Sequence, residues 1–460
     1  MGKTDTFVFT SRFPCSAHDL YTWHSRAGAL ERLIPPWEKT SVVSRQGGIA
    51  PGGRVEMRMH LGPIPYRWIA HHVEDKPGLM FRDIQKQGPF SSWSHSHIFT
   101  DTAGGALLED RIEFSLPLHH LLPGFLKCHV HQILQKVFRY RHATLREDIL
   151  LHQSCSRTPL RILVTGASGV LGRALVPFLT TGGHQVWTLV RRRPDPEKQE
   201  IFWDPLAGTI DVSTLPELDA VIHLAGEYIG LNRWTAEKKQ RVIDSRTLGT
   251  SLLAGTIAAM PVPPRVFLSA SAVGFYGDNQ NRSLDEETAA GEDFISEVCS
   301  LWEKAAAPAE AAGIRTVLMR IGVVLTPKGG ALQQLLRTAP CGFFRRFGSG
   351  GQYVSWIGID DTIGAMLHCM TSPGLRGPVN IAAPRPVTNT ELMQTLSTVL
   401  HRPLLPPIPA QVLRTIYGQM ASEILLSGCD VSAAKLAASG FCFRHTTLEG
   451  LLRRQLSRES

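Results

Sequence analysis

The sequence predicts two folded parts of different class: an α+β part with antiparallel strands and one long helix, then a doubly wound parallel α/β part. Three observations carry this. Residues 1–150 contain strand-like runs punctuated by glycine and proline and closed by a long amphipathic stretch. The segment HQSCSRTP at 152–159 is polar and ends in proline, as a linker does. Beyond it, strands alternate with helices, beginning with a short apolar strand and three glycines three residues apart. At 460 residues the chain is also too long for one ordinary domain.

In chain order, Phe7–Phe13 alternates as a strand and Ala17–Leu33 reads as one helix. Val42, Val55–His60, Tyr66–Val73, Leu79–Asp83, Trp93–Phe99 and Leu107–Phe114 are further strand-like runs. Leu126, Val130, Ile133, Leu134, Val137, Phe138, Leu145 and Ile149 then recur at helical spacing. Such a stripe needs a partner face, and a curved antiparallel sheet supplies one. In the second part Ile162–Val164, His184–Val190, Asp219–Gly226 and Arg265–Ser271 read as buried strands.

Composition excludes several classes. Residues 1–150 hold 18 Lys+Arg and 14 Asp+Glu, or +4 of the total +8, so positive charge is spread over both parts. A nucleic-acid face would gather it, and no nucleic-acid partner is expected. No apolar run is long enough to span a membrane, and MGKTDTFVF lacks signal-peptide character, so a cytoplasmic protein is expected. The eight cysteines are scattered without a C-x-x-C pair, which reads as free thiols. Twelve of the eighteen histidines lie in residues 1–150, and His95 and His97 would share a strand face. His71-His72, His119-His120 and His129/His131 add to them. No acidic or cysteine partner stands at a telling spacing, so they read as polar lining or solvent-facing residues and no metal is expected.

The segment RILVTGASGVLG, 161–172, carries the most chemistry. Gly166, Gly169 and Gly172 fall between strand and helix, where a tight turn, a close approach to pyrophosphate and close helix–strand packing each require glycine. The freed amides and helix N-terminus suit phosphate. This is the Rossmann dinucleotide pattern. The second strand ends in Arg191 and Arg192 where an acidic residue would mark NAD. Guanidinium there favours NADP over NAD, the alternative being a solvated basic turn. The small-residue turn ending at Gly226 lets backbone approach a ligand.

These residues also resemble a known family. TGASGVLG, HLAG, LNRWTAEKKQRVIDSR, SASAVGFYG, RIGVVLTPKGGAL and SGGQYVSWIGIDD, in this order, resemble the atypical "epimerase family protein" branch of the extended short-chain dehydrogenase/reductases. The resemblance implies Gly166, Ser168, Gly169, Val170 and Leu171 at the phosphates and Arg191 and Arg192 at the ribose phosphate. It places Leu224 and Ala225 beside adenosine, Arg241 and Arg246 facing the cofactor, and Val324 at the nicotinamide end. Plain core remains the other reading of Leu224, Ala225 and Val324, and surface charge that of Arg241 and Arg246. The segment from about 384 resembles the branch's small C-terminal domain, which completes the substrate side. FRDIQKQGPFSSWSHSHIF, through Trp93, His95 and His97, is similar to the cyclase/dehydrase-like branch of the START and polyketide-cyclase superfamily. That implies a helix-grip fold with a cavity for an apolar ligand. The expected domains are 1–151, 160–383 and 384–460, with a linker at 152–159.

Most members of the superfamily pair a serine with a tyrosine and lysine four residues apart. Ser271 fits the serine, but Cys299 and Glu303 stand where the pair belongs. Tyr276 and Glu227 are the remaining candidates for proton exchange. A turn residue packing on the glycine loop and a structural hydrogen bond are their other readings. Two functions follow: an NADP(H)-dependent epimerase-like oxidoreductase acting on a small carbonyl or hydroxyl compound, or an NADP(H)-binding sensor without turnover. Substrate, direction and oligomeric state are not encoded in these motifs.

Overall fold

The computed structural model describes residues 4–117, 124–155, 158–230, 232–338 and 342–458. His119 and His120 lie outside them. The chain divides into two compact units, 1–157 with 180–183, and 158–179 with 184–460.

The first unit is a seven-stranded antiparallel sheet. Its strands are β1 (Asp5–Phe13), β2 (Ser41–Gln46), β3 (Arg54–Leu61), β4 (Ile64–Lys76), β5 (Met80–Gln87), β6 (Ser92–Thr102) and β7 (Gly105–Ser115), in the order β1-β7-β6-β5-β4-β3-β2. Period-2 alternation turns Leu108, Ile112 and Phe114 of β7 inward. They meet the apolar stripe of the 32-residue helix Gly124–Cys155: Phe7, Ile112 and Phe114 pack with Leu134, Val137 and Phe138, and Phe13, Phe99 and Leu108 with Leu145 and Ile149. The helix includes residues 152–155, which the sequence reading gave to a linker.

The helix expected over 17–33 is two: α1 (Ala17–Ser25) and α2 (Ala29–Leu33). Gly28, at φ 90°, turns the chain left-handed between them. Arg32 of α2 forms a buried two-pronged ion pair with Asp148, at 2.6 and 2.8 Å, anchoring α2 to the long helix, α3. Inside the grip lies a cavity of about 20 Å³ lined by His24, Leu33, His97, Leu108, Asp110, Phe138, Arg141, His142 and Leu145. Imidazoles, a carboxylate and a guanidinium share this lining with Leu33, Leu108, Phe138 and Leu145.

The second unit is built on an eight-stranded sheet. Its strands are β8 (Arg161–Thr165), β9 (Gln185–Val190), β10 (Glu200–Asp204), β11 (Thr209–Ile210), β12 (Ala220–His223), β13 (Val266–Ala272), β14 (Arg315–Ile321) and β15 (Gly377–Ile381). They lie in the order β11-β10-β9-β8-β12-β13-β14-β15, and only the β10–β11 pairing is antiparallel. Ile162, Leu163, Val164, Val221, Ile222, Phe267 and Leu268 are fully buried, as strands covered on both faces must be. Strand order runs one way from β8 through β9 and the other way from β12. The crevice at the carboxyl ends of β8 and β12 is therefore a topological switch point, where such sheets bind ligands.

Residues after 384 do not stand apart from the rest of this unit. Leu404–Ile408 pairs with Phe344–Phe347, Cys429–Val431 with Asn279–Leu284, and Val387–Thr388 with Tyr353–Val354. Leu392, Leu396, Val399, Leu451 and Leu452 share a core with Trp356, Phe344 and Leu325. Among the described residues no helix is long and apolar enough to cross a membrane.

Candidate functional site

At the end of β8 the chain turns through Gly166, at φ 71°, and enters the helix α4 (Val170–Thr181). A side chain at Gly166 would put Cβ 2.7 Å from the Leu224 carbonyl carbon, and one at Gly172 would lie 2.4 Å from Gly166 O. Both are forbidden distances, so these two glycines let strand, turn and helix close on one another. Ser168 and Gly169 stay exposed at the mouth, and Leu171 is half-buried behind them. Helix geometry leaves the first amides of α4 without intrahelical acceptors, aimed at the crevice.

The facing wall is the turn Leu224–Gly226 after β12. The Thr165 hydroxyl accepts hydrogen bonds from the amides of Leu224 (3.1 Å) and Ala225 (3.2 Å) and meets His223 Nδ1 at 2.8 Å. Burial pushes His223 down to about 3, so its ring is neutral. Leu224 and Ala225 are half-buried, whereas Gly226 is exposed. From the other side, a Cβ on Gly329 would sit 2.3 Å from Val170 Cγ2, so the turn after Val324 packs on the glycine loop. Val324 is itself half-buried on a short strand paired with Ile357.

The arginines have different fates. Arg191, directly after β9, is exposed, and its charge reaches Glu227. Arg192 is also exposed, but its guanidinium grips Glu200 through both nitrogens, at 2.7 and 2.5 Å. Arg192 thus has a carboxylate partner at the surface. The expectation for Arg246 is corrected. It is buried, donates to the carbonyls of Glu227 (3.1 Å) and Val242 (3.2 Å), and lies 4.8 Å over the Trp302 ring. It braces the turn from beneath rather than facing a ligand. Arg241 is exposed, and its charge reaches Glu227.

The three residues expected in catalysis sit in distinct surroundings. Ser271, near the carboxyl end of β13, donates to Glu303 Oε1 at 2.7 Å. Glu303, on the helix α5 (Phe294–Lys304), accepts in turn from Nε and Nη2 of Arg320, at 2.9 and 3.0 Å. Tyr276 is 3% exposed; its hydroxyl donates to Asn380 Oδ1 (2.7 Å) and accepts from Arg320 Nη1 (3.0 Å). Burial raises its pKa. The phenol is thus a sealed link in a polar network, and the expectation that it donates a proton to substrate is corrected. Glu227 accepts from Lys238 Nζ at 2.7 Å, which holds its carboxyl below the usual range. An ionised, ammonium-bound carboxylate is no general acid, so that half of its expected role also falls. Burial pushes the Cys299 thiol up to about 12, which removes it as a nucleophile.

Residues 162–382 match the NAD dependent epimerase/dehydratase family, residues 408–455 a domain of unknown function, and residues 13–136 the polyketide cyclase/dehydrase and lipid transport family. An epimerase family protein of Mycobacterium bovis is 38% identical over 287 residues, 62% of this chain and 94% of that protein. The human epimerase family protein SDR39U1 is 36% identical over 297 residues, 64% of this chain and 99% of its own. The chain belongs to this epimerase family. A solved structure described as the nucleoside-diphosphate sugar epimerase of Corynebacterium glutamicum matches 98% of the chain and 90% of its own, with TM-score 0.80 and 32% identity. The structure of human SDR39U1 with NADPH matches 65% and 99%, with TM-score 0.60 and 33% identity.

Within this epimerase family fold, the glycine loop and the turn expected opposite it follow β8 and β12, and Ser271 lies near the carboxyl end of β13. The sequence reading did not single out Lys238, Arg320, Asn380 or Glu286. Asn380 takes the Tyr276 hydrogen bond across 104 residues, and its own amide donates to Glu286 Oε1 at 2.8 Å. No local spacing announces contacts made by separate strands. Arg320 alone left a trace, as a charge inside the apolar strand RTVLMRI.

Proposed function

We propose that the second unit binds NADP(H) and works as an epimerase-like oxidoreductase on a small compound bearing a hydroxyl or carbonyl group. The observation that carries this is the glycine loop at the switch point with Arg191 at the end of the neighbouring strand. The residues fit the cofactor. Gly166, Ser168, Gly169, Val170 and Leu171 would line the phosphates, with Leu224, Ala225 and Gly226 opposite; a Cβ on Gly166 would strike the Leu224 backbone at 2.7 Å, so glycine there lets the two sides approach. Arg191 would offer its exposed guanidinium to the ribose phosphate, and Arg241 acts with it on Glu227. NADPH in the related human structure supports the same assignment. The cofactor would supply hydride exchange.

This chain's own part is to orient the substrate oxygen. Ser271 gives its hydrogen to Glu303, so its lone pairs are left to accept from a substrate hydroxyl. Glu303, fixed by Arg320, positions Ser271. A second reading, cofactor binding without turnover, is favoured by one observation: the hydroxyls of Ser271 and Tyr276 are both buried and both already donate within the protein.

The test is a fluorescence titration of the full chain with NADPH and NADH, followed by NADPH oxidation over a panel of small carbonyl compounds. NADPH binding at least tenfold tighter than NADH is expected. Equal affinity, or none, overturns the cofactor assignment. Binding with no oxidation across the panel selects the second reading, and oxidation lost in Ser271→Ala selects the first.

A further inference from the structure

A cluster in the first unit lies outside this site. In the antiparallel register His72 of β4 stands opposite Asp83 of β5, Asp83 opposite His95 of β6, and His97 opposite Asp110 of β7. Alternation puts His95 and His97 on the face turned toward α3, whose His142 joins them. One oxygen or nitrogen from each of Asp83, His95 and His97 lies within 4.8 Å of the others. His95 presents Nδ1 to Asp83, at 3.7 Å, while its Nε2 is held by Asp110 Oδ1 at 2.9 Å. His97 Nδ1 lies 2.6 Å from the same Asp110 oxygen without hydrogen-bond geometry. His142 Nε2 takes the other Asp110 oxygen at 2.6 Å.

We propose that the interior of the first unit is a metal site, in which Asp83, His95 and His97 bind one divalent first-row transition ion of the Zn²⁺ class and Asp110 orients both imidazoles. Two imidazoles and a carboxylate are a ligand set for such ions, and a carboxylate behind each ligating histidine is the usual way of fixing its ring. Bonds of about 2.0–2.2 Å would place the ligand atoms roughly 3.3 Å apart, so the cluster, whose atoms now lie within 4.8 Å of one another, must contract by up to about 1.5 Å. The side chains stand on three adjoining strand positions and reach this by rotation. A second carboxylate, Asp110, stands among these imidazoles beside Asp83, so the cluster holds two carboxylates. His72, in line beyond Asp83, has no hydrogen-bond partner for Nδ1 among the described residues.

The experiment uses the tag-free full chain, stripped with chelator and dialysed against Zn²⁺ or Co²⁺. Elemental analysis is expected to give one ion per chain, and Co²⁺ is expected to show the visible bands of a four- or five-coordinate ion. Asp83→Asn and His97→Gln should each weaken Zn²⁺ binding at least 30-fold, whereas His18→Gln on the surface should not change it. A stripped wild-type chain that takes up no stoichiometric ion overturns the proposal. So does uptake that survives both substitutions, or a Co²⁺ spectrum like that of the hydrated ion. If either variant fails to fold, the wild-type stoichiometry and spectrum decide.

Discussion

At the residue scale, the two arginines that end β9 differ only in their neighbours. Arg191→Ala should weaken NADPH about 10- to 100-fold, the worth of one or two charge-assisted hydrogen bonds, and leave NADH within threefold. Arg192→Ala should do less, because Glu200 already holds that guanidinium; titrating both variants with both cofactors checks the difference. The sequence showed that a basic pair occupied this position, but not that one member was committed, since the partner lies eight residues on and across a strand pairing. His223 makes a second prediction. Its folded pKa, near 3, lies below the ordinary value of 6.5, so the unfolded chain takes up the proton first. Its contribution is intact above about pH 6.5 and is lost as pH falls toward 3, at up to about 1.4 kcal/mol per pH unit. His223→Asn, which keeps an acceptor for Thr165, should flatten the fall in melting temperature between pH 7 and pH 5.

At the scale of elements, β8, its turn and α4 were legible because their glycines and apolar run are local. Gly172→Ala tests the packing that makes them so. A Cβ there would strike Gly166 O and Ala167 Cα at 2.4 and 2.5 Å, and should destabilise the second unit by about 1–3 kcal/mol, read by denaturant melts. The elements that hold Tyr276 were not legible. Its turn, β14 and β15 meet only in the folded sheet, and the motif SASAVGFYG suggests a tyrosine near substrate where the structure buries one. Tyr276→Phe should cost about 1–3 kcal/mol, because Arg320 and Asn380 each lose a partner, while NADPH affinity stays unchanged in titration. A lost affinity would return the phenol to the site. The histidines of β6 teach the same lesson: their spacing along the strand was visible, but Asp83 and Asp110 arrive from the strands on either side.

At the scale of the whole molecule, the change of pattern near residue 158 was readable because strand alternation and glycine-loop chemistry differ so strongly. The mixed lining of the first unit's small cavity was not, because facing side chains from β6, β7 and α3 decide it. NADPH at about 100 times its dissociation constant should stabilise the second unit by about 2.7 kcal/mol. Differential scanning calorimetry is expected to show one transition move upward and the transition of the first unit stay in place.

The Thr165 hydroxyl ties the two sides of the crevice together. One oxygen, sitting between the phosphate loop and the turn opposite, receives amides from the latter while its own backbone leads into the former. The two walls of the crevice are thereby clasped together before any nucleotide arrives. Entry then demands little rearrangement, and the free energy of contact is kept as affinity instead of being consumed in ordering loops.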